Sequence, residues 1–475
     1  MSSRTYSATG PVLGRRRRRP RRLPVAAVLT AVAGAGLAAP PAHAATVHVR
    51  CSVPDLVEAI EEANSSAGPD TLRLARDCTY TLTAPYADSP ANGLPPITGD
   101  LTVEGNHATI RRARSAPAFR IVLVDETGGL TLNKTTISGG KATDCPNFPG
   151  GVCGGGISSL GPLTVNHGRV THNTAESDVF AEGGGIEGGT AVGTGAVTLN
   201  DTEVRGNTVV HDGNAQGSAA GGGILSNGPL TVRHSRFTHN TVRVTADTRS
   251  FAFGAGIAGF ARATVEKTTV AHNRSEAPGG FARAALTTGA VPPDAMRVTD
   301  TVVHHNTASA PGGNAQGGGV ASNALLSMTG TRVSDNLASA PDGGTATGGA
   351  LQVGVNGRVT LRDCTLRSNT ARASGGGSAQ GGGINNATGG TVEVEESKII
   401  GNTVRAVGSG TARGGGLFNG VGSTTLRHSA VLHNRAGDGG GIFEASGTVT
   451  LDDTRVERNR PNNCAPPGRV PGCTG

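Results

Sequence analysis

The stretch Leu230-Thr-Val-Arg-His-Ser-Arg-Phe-Thr-His-Asn240 decides the fold, because its last residue belongs to a column of asparagines: Asn173, Asn207, Asn240, Asn273, Asn306, Asn336, Asn369, Asn402, Asn434 and Asn459. Successive members lie 34, 33, 33, 33, 30, 33, 33, 32 and 25 residues apart. A period near 33 is that of a solenoid, in which each repeat is a coil that buries its apolar face only by stacking on its neighbours. Three positions before each asparagine stands an aliphatic or phenyl side chain, Phe237 here and Val170, Leu366 or Ile399 elsewhere. Eight positions before it the column is again apolar, from Val165 through Val232 to Leu451, and the ninth position is mostly threonine. Apolar, polar, apolar is the alternation of a half-buried strand.

Working outward, each coil carries Gly-Gly-Gly-Ile or a variant of it, as at Gly154 to Ile157, Gly183 to Ile186 and Gly381 to Ile384, which reads as a third short strand. Three strands per coil, each paired in parallel with its counterpart about 4.8 Å away, predict an all-β, right-handed parallel β-helix solenoid; the hand follows from the right-handed crossover of parallel strands. The Gly/Ala/Ser-rich stretches, such as 307–316 and 371–380, read as loops leaving one edge, where binding would concentrate. Asparagine's amide both donates and accepts, so stacked asparagines can satisfy one another, and asparagine tolerates the left-handed backbone of a sharp bend. The column is therefore predicted to be a structural ladder.

Residues 1–44 read as an export signal: Arg15 to Arg19 with Arg21 and Arg22, an apolar run from Leu23 to Ala39, and Ala42-His43-Ala44 before the cut. Residues 45–128 read as an N-terminal cap with the first coils, 129–460 as the β-helix repeats and 461–475 as a disulfide-closed C-terminal cap. Ser52-Val-Pro-Asp55 resembles a capping box opening a short helix, with Leu56, Val57, Ile60 and Ala63 on its apolar face. Without the leader the formal charge of +7 becomes 34 basic against 35 acidic residues, which removes the composition argument for a nucleic-acid partner. The tail carries no hydrophobic span, so the mature chain is expected to lack a membrane span and to be secreted to the extracellular space.

Seven cysteines in an exported chain predict disulfides, with Cys51–Cys78, Cys145–Cys153 and Cys464–Cys473 as the near-neighbour pairings. Cys364 is left single in a column otherwise filled by Thr202, Ser235, Thr268 and their equivalents, and reads as a packed threonine substitute.

Gly-Gly-Gly-Ile together with Phe237-Thr-His-Asn240 resembles the polymorphic outer-membrane-protein repeat family, whose paired motifs are Gly-Gly-Ala-Ile and Phe-x-x-Asn, over about residues 130 to 460. The resemblance implies a β-helix displayed outside the cell in an adhesin-like role. The autotransporter barrel of that family has no counterpart in this sequence.

Catalytic chemistry is weighed against the β-helix polysaccharide lyases and hydrolases. Of the polygalacturonase segments, Asp452-Asp453 appears here, but in the turn column shared by Asp201, Asp300 and Asp363; acidic groups are dispersed one per coil, not gathered into a cation site or an acid–base pair. No tryptophan and three tyrosines leave little surface for stacking on sugar rings. Histidines precede the ladder at His172, His239, His272, His305 and His433, with His304 adjacent. His239, His272 and His305, in three consecutive coils, are the candidate metal ligands, but the expectation is a solvated surface column with no metal or other cofactor. The functional expectation is a non-catalytic surface-recognition, adhesin-like or structural scaffold whose partner is a cell-surface or extracellular polysaccharide or protein. The alternative is a pectate-lyase-like lyase or a glycoside hydrolase acting on a polyuronide.

Overall fold

The computed structural model describes residues 45–474 except 147, 190–194, 214–215, 246–248, 290–294 and 356. The export signal read at 1–44 lies outside the described residues. The described residues form a parallel β-solenoid with one helix among them, Val53–Ser65. The coil that opens at Leu230 shows the order of elements: Leu230–Arg233, Arg236–Thr238, Thr241–Val244, Phe251–Phe253 and Ile257–Gly259. Each strand joins a different sheet, and among the described residues the five sheets, numbered in that order, hold 14, 13, 9, 9 and 12 strands. At about 4.8 Å per strand the first sheet runs roughly 62 Å. Pairing sets like on like: Leu199, Val232 and Val265 stack in the first sheet, and Val204, Phe237 and Val270 in the second.

Five strands per coil, not three, in the nine coils from Gly129 to Asn419 is the main correction to the sequence reading. The stretches taken as loops are the third and fourth sheets, as in Thr307–Ser309 and Asn314–Gln316. Their inward residues form a second core, separate from the Leu/Val/Ile core of the first, second and fifth sheets and built largely of alanine: Ala308, Ala310, Ala315, Ala338, Ala346 and Ala371 are all fully buried. Alanine's single methyl lets two sheets approach closely while still excluding water from both.

The glycine motif joins this thin lobe to the main body. Its first glycine is left-handed, with φ +63° at Gly154 and +65° at Gly221. Its second lies against the backbone of the next coil, so that a Cβ on Gly222 would meet Ala255 O at 2.5 Å. The fifth-sheet strand begins only at the isoleucine.

The ladder asparagines are buried, and from Asn207 to Asn459 each amide makes four hydrogen bonds. Asn240 Nδ2 donates to Asn273 Oδ1 at 3.0 Å and to Val204 O at 3.0 Å, while its Oδ1 accepts from the Asn207 N–H and Asn207 Nδ2, both at 3.0 Å. The column starts where the Gly140 N–H donates to Asn173 Oδ1 and ends on Asn463 Oδ1, which accepts from Asn459. A second correction concerns the bend. The left-handed residue is the one before each asparagine, with φ +56° at His239 and +57° at His272. Asparagine is there for its four hydrogen bonds, not for its backbone.

At the N-terminal end, Ser52 caps the helix by accepting from the Asp55 N–H. The helix buries Leu56, Ala59, Ile60 and Ala63, with Val57 half-buried beside them. Disulfides join Cys51 to Cys78, Cys145 to Cys153 and Cys464 to Cys473.

Candidate functional site

In the strand ahead of each ladder asparagine, the residue three before points into the core, so those four and two before point out. Those two columns are the outer face of the second sheet. Down its length they present Arg111, Arg169, Arg205, Arg236, Arg332, Arg367, Lys398 and Arg455, all exposed, against the acids Glu203 and Glu457. The outer face of the first sheet is balanced, with six basic residues (Arg73, Arg233, Arg297, Arg358, Arg362, Arg427) and six acidic (Asp100, Glu104, Glu266, Glu393, Glu395, Asp452). The bias is strongest on the second sheet; the outer face of the third also leans basic, with Lys141, Arg243, Arg274, Arg372 and Arg405 against Glu176 and Glu276. Glu203 is engaged within the second-sheet face, 3.3 Å from Arg169 Nε and 3.9 Å from Arg205.

The edge of this face is a row of left-handed corners six residues before the ladder: His167, Asp201, His234, Lys267, Asp300, Asp363 and Asp453 all have φ between +41° and +53°. Aspartate and histidine are enriched in this conformation, which accounts for the column without chemistry. Asp201 lies 3.9 Å from His167 and Asp453 lies 4.0 Å from His428, so these carboxylates pair along the corner. Asp452 is elsewhere, on the first sheet beside Arg427 at 3.8 Å. Between the corner and the sheet runs an open groove of about 710 Å³, lined by His107, Lys134, His167, Arg169, His234 and Arg236 together with Asp201 and Glu203.

On the opposite edge the ladder histidines do stack: His239 on His272 with ring centroids 5.2 Å apart, and His272 on His305 at 5.1 Å. The set whose nitrogens converge is different, however. It is His272, His304 and His305, with ligand atoms all within 4.8 Å of one another. His304 comes from the sheet face and stands edge-on to both corner rings. Burial lowers the proton affinity of His272, with the charges of His239 and His305 adding to it; burial does the same for His304, followed by His305 and His272. The cluster therefore favours neutral imidazoles, which are the ligand form.

Cys364 is buried, with its thiol 3.3 Å from Arg362 O and 3.4 Å from Met328 O. Its backbone N–H donates to Ser397 Oγ as its column neighbours do, and burial pushes the thiol up to about 11. That is a threonine's place, not a nucleophile's.

The basic face was present in the sequence at fixed offsets from the ladder, but it becomes a signal only when those offsets are known to share one side. No protein-family model, curated protein or solved structure matches this chain.

Proposed function

We propose that the protein is an exported, non-catalytic recognition scaffold whose second sheet binds a linear anionic polysaccharide. The β-solenoid fits a structural or surface-recognition role, and the one observation that carries the finer reading is the face with eight basic residues and two acidic ones. On a parallel sheet those charges repeat at multiples of about 4.8 Å along a straight, rigid axis. A polymer bearing a carboxylate on each sugar offers a matching row of charges, and a prealigned array binds it with little ordering cost on the protein side. The face has no Phe, Tyr or Trp among its described outward residues, so it lacks the stacking platform that single-stranded nucleic acid would use. Disulfides are compatible with an extracellular setting, and no described helix is long and apolar enough to cross a membrane.

The test is affinity electrophoresis through gels containing polygalacturonate or neutral dextran. Retardation by the acidic polymer alone, weakening with salt and lost in the triple variant Arg332→Glu/Arg367→Glu/Lys398→Glu, supports the reading. Equal retardation of the parent and the triple variant would remove this face as the site.

A further inference from the structure

We propose that His272, His304 and His305 form a binding site for one divalent transition-metal ion of the zinc and copper class. One nitrogen from each residue lies within 4.8 Å of the other two, and the Nδ1 atoms of His304 and His305 are 2.8 Å apart. A tetrahedral ion with metal–nitrogen bonds of about 2.05 Å holds its ligand nitrogens roughly 3.3 Å apart. The three rings already bracket that spacing, so small side-chain rotations close the site without moving the main chain.

The frame under the rings is fixed. Ala271 pairs with His304 in the second sheet, the His272 N–H donates to His304 O, and the His305 N–H donates to Ser334 O. The residues that follow His272 and His305 are Asn273 and Asn306, both buried rungs of the ladder. What is left to order on binding is a few side-chain torsions, which keeps the entropic cost low. His272 and His305 stack with 22° between their planes, and His304 stands at 79° and 85° to them. Asp335, the next residue of the corner column, favours positive charge at His304, and Arg332 on the sheet face opposes it.

Imidazole ligands select zinc, copper or nickel over calcium or magnesium. Three protein nitrogens leave a fourth position open to water or to a ligand oxygen. The site occupies the stretch of the basic face between Arg236 and Arg332 where the outward residues are Thr269, Ala271, Val302 and His304, so a bound ion would put positive charge where arginine is missing. The stripe read from the sequence differs from this set by one residue: His239 stacks on His272 but is not among the converging nitrogens.

Chelator-stripped protein is titrated with zinc chloride by calorimetry, and with copper(II) by electron paramagnetic resonance, no glycan being present. One equivalent of zinc should bind, and His304→Ala and His305→Ala should each weaken it about tenfold or more, with their far-ultraviolet spectra unchanged. Nitrogen hyperfine structure should appear on the copper signal, and His239→Ala should bind like the parent. Absence of zinc binding at roughly 100 μM, which is weaker than about −5.5 kcal/mol, would overturn the site. So would an isotherm unchanged in His304→Ala, or calcium binding as tightly as zinc. Metal alone is the probe, so failure here leaves the polysaccharide reading standing.

Discussion

Replacing Asn306 with leucine removes four hydrogen bonds from the middle of the ladder. Its Nδ2 donates to Asn336 Oδ1 at 3.0 Å and to Val270 O at 2.8 Å; its Oδ1 accepts from the Asn273 N–H at 2.9 Å and from Asn273 Nδ2 at 3.0 Å. Two of the groups left behind keep a second partner, because Asn336 Oδ1 still accepts from the Asn306 N–H and Asn273 Nδ2 still donates to Phe237 O. The Asn273 N–H loses its acceptor at a position 1 % exposed. One orphaned buried donor costs about 1–3 kcal/mol, and the partial losses bring the total to about 2–4 kcal/mol. Asn459→Leu is the internal control. It removes a similar set of bonds, but at 6 % exposure beside the end of the column, where water can reach the orphans. Its cost should be about 1 kcal/mol. Urea unfolding followed by far-ultraviolet circular dichroism gives both values from the shift in midpoint at constant slope. Equal shifts at the two positions, each below about 0.5 kcal/mol, would refute the view that the amides are buried and mutually dependent.

Gly318→Ala places a methyl 2.5 Å from the Leu337 carbonyl carbon and 2.6 Å from Gly349 O, both main chain, and should cost about 3 kcal/mol; an unchanged urea midpoint would contradict the close backbone approach. Cys364 should resist iodoacetamide in the native protein and react once it is unfolded, and mass spectrometry showing rapid native labelling would count against its burial. Glu444 is buried, with Oε1 unpartnered among the described residues, and burial raises its pKa above 4.5. The folded state therefore holds that proton more tightly than the unfolded one, and the stability it contributes is present below the unfolded value and lost as pH rises through the raised folded pKa. Glu444→Gln should raise the urea midpoint at pH 7 and leave it unchanged near pH 4; the same gain at both pH values would show that titration is not the cause.

The main core was legible because Val232 and Phe237 are large, apolar and bracketed by polar residues, so their period survives in the sequence. The asparagine column was legible for the same reason: ten identical polar residues at fixed register can stack. The second core was not legible. Ala308 and Ala315 alternate with threonine, serine, asparagine and glutamine, and so small a hydropathy contrast reads as a loop even though both alanines are inward. Nothing in the local sequence marks Arg120 as fully buried, where it is ion-paired to Asp144 across 24 residues. The histidine cluster shows how far register alone reaches. It places His272 under His305 correctly, but whether His239 or His304 completes the set depends on which way the rings turn, and that is settled by packing.

The measurement that tests the functional account most directly follows polymer and protein in one sample. The protein is incubated with polygalacturonate and alginate, with and without calcium, while polymer-bound protein, new reducing ends and the absorbance of unsaturated uronides are recorded together. The account predicts salt-sensitive binding to polymer that stays intact. Reducing ends or unsaturated products that appear with the parent protein and vanish in the variant altered at Arg332, Arg367 and Lys398 would contradict it and make the basic face a catalytic surface.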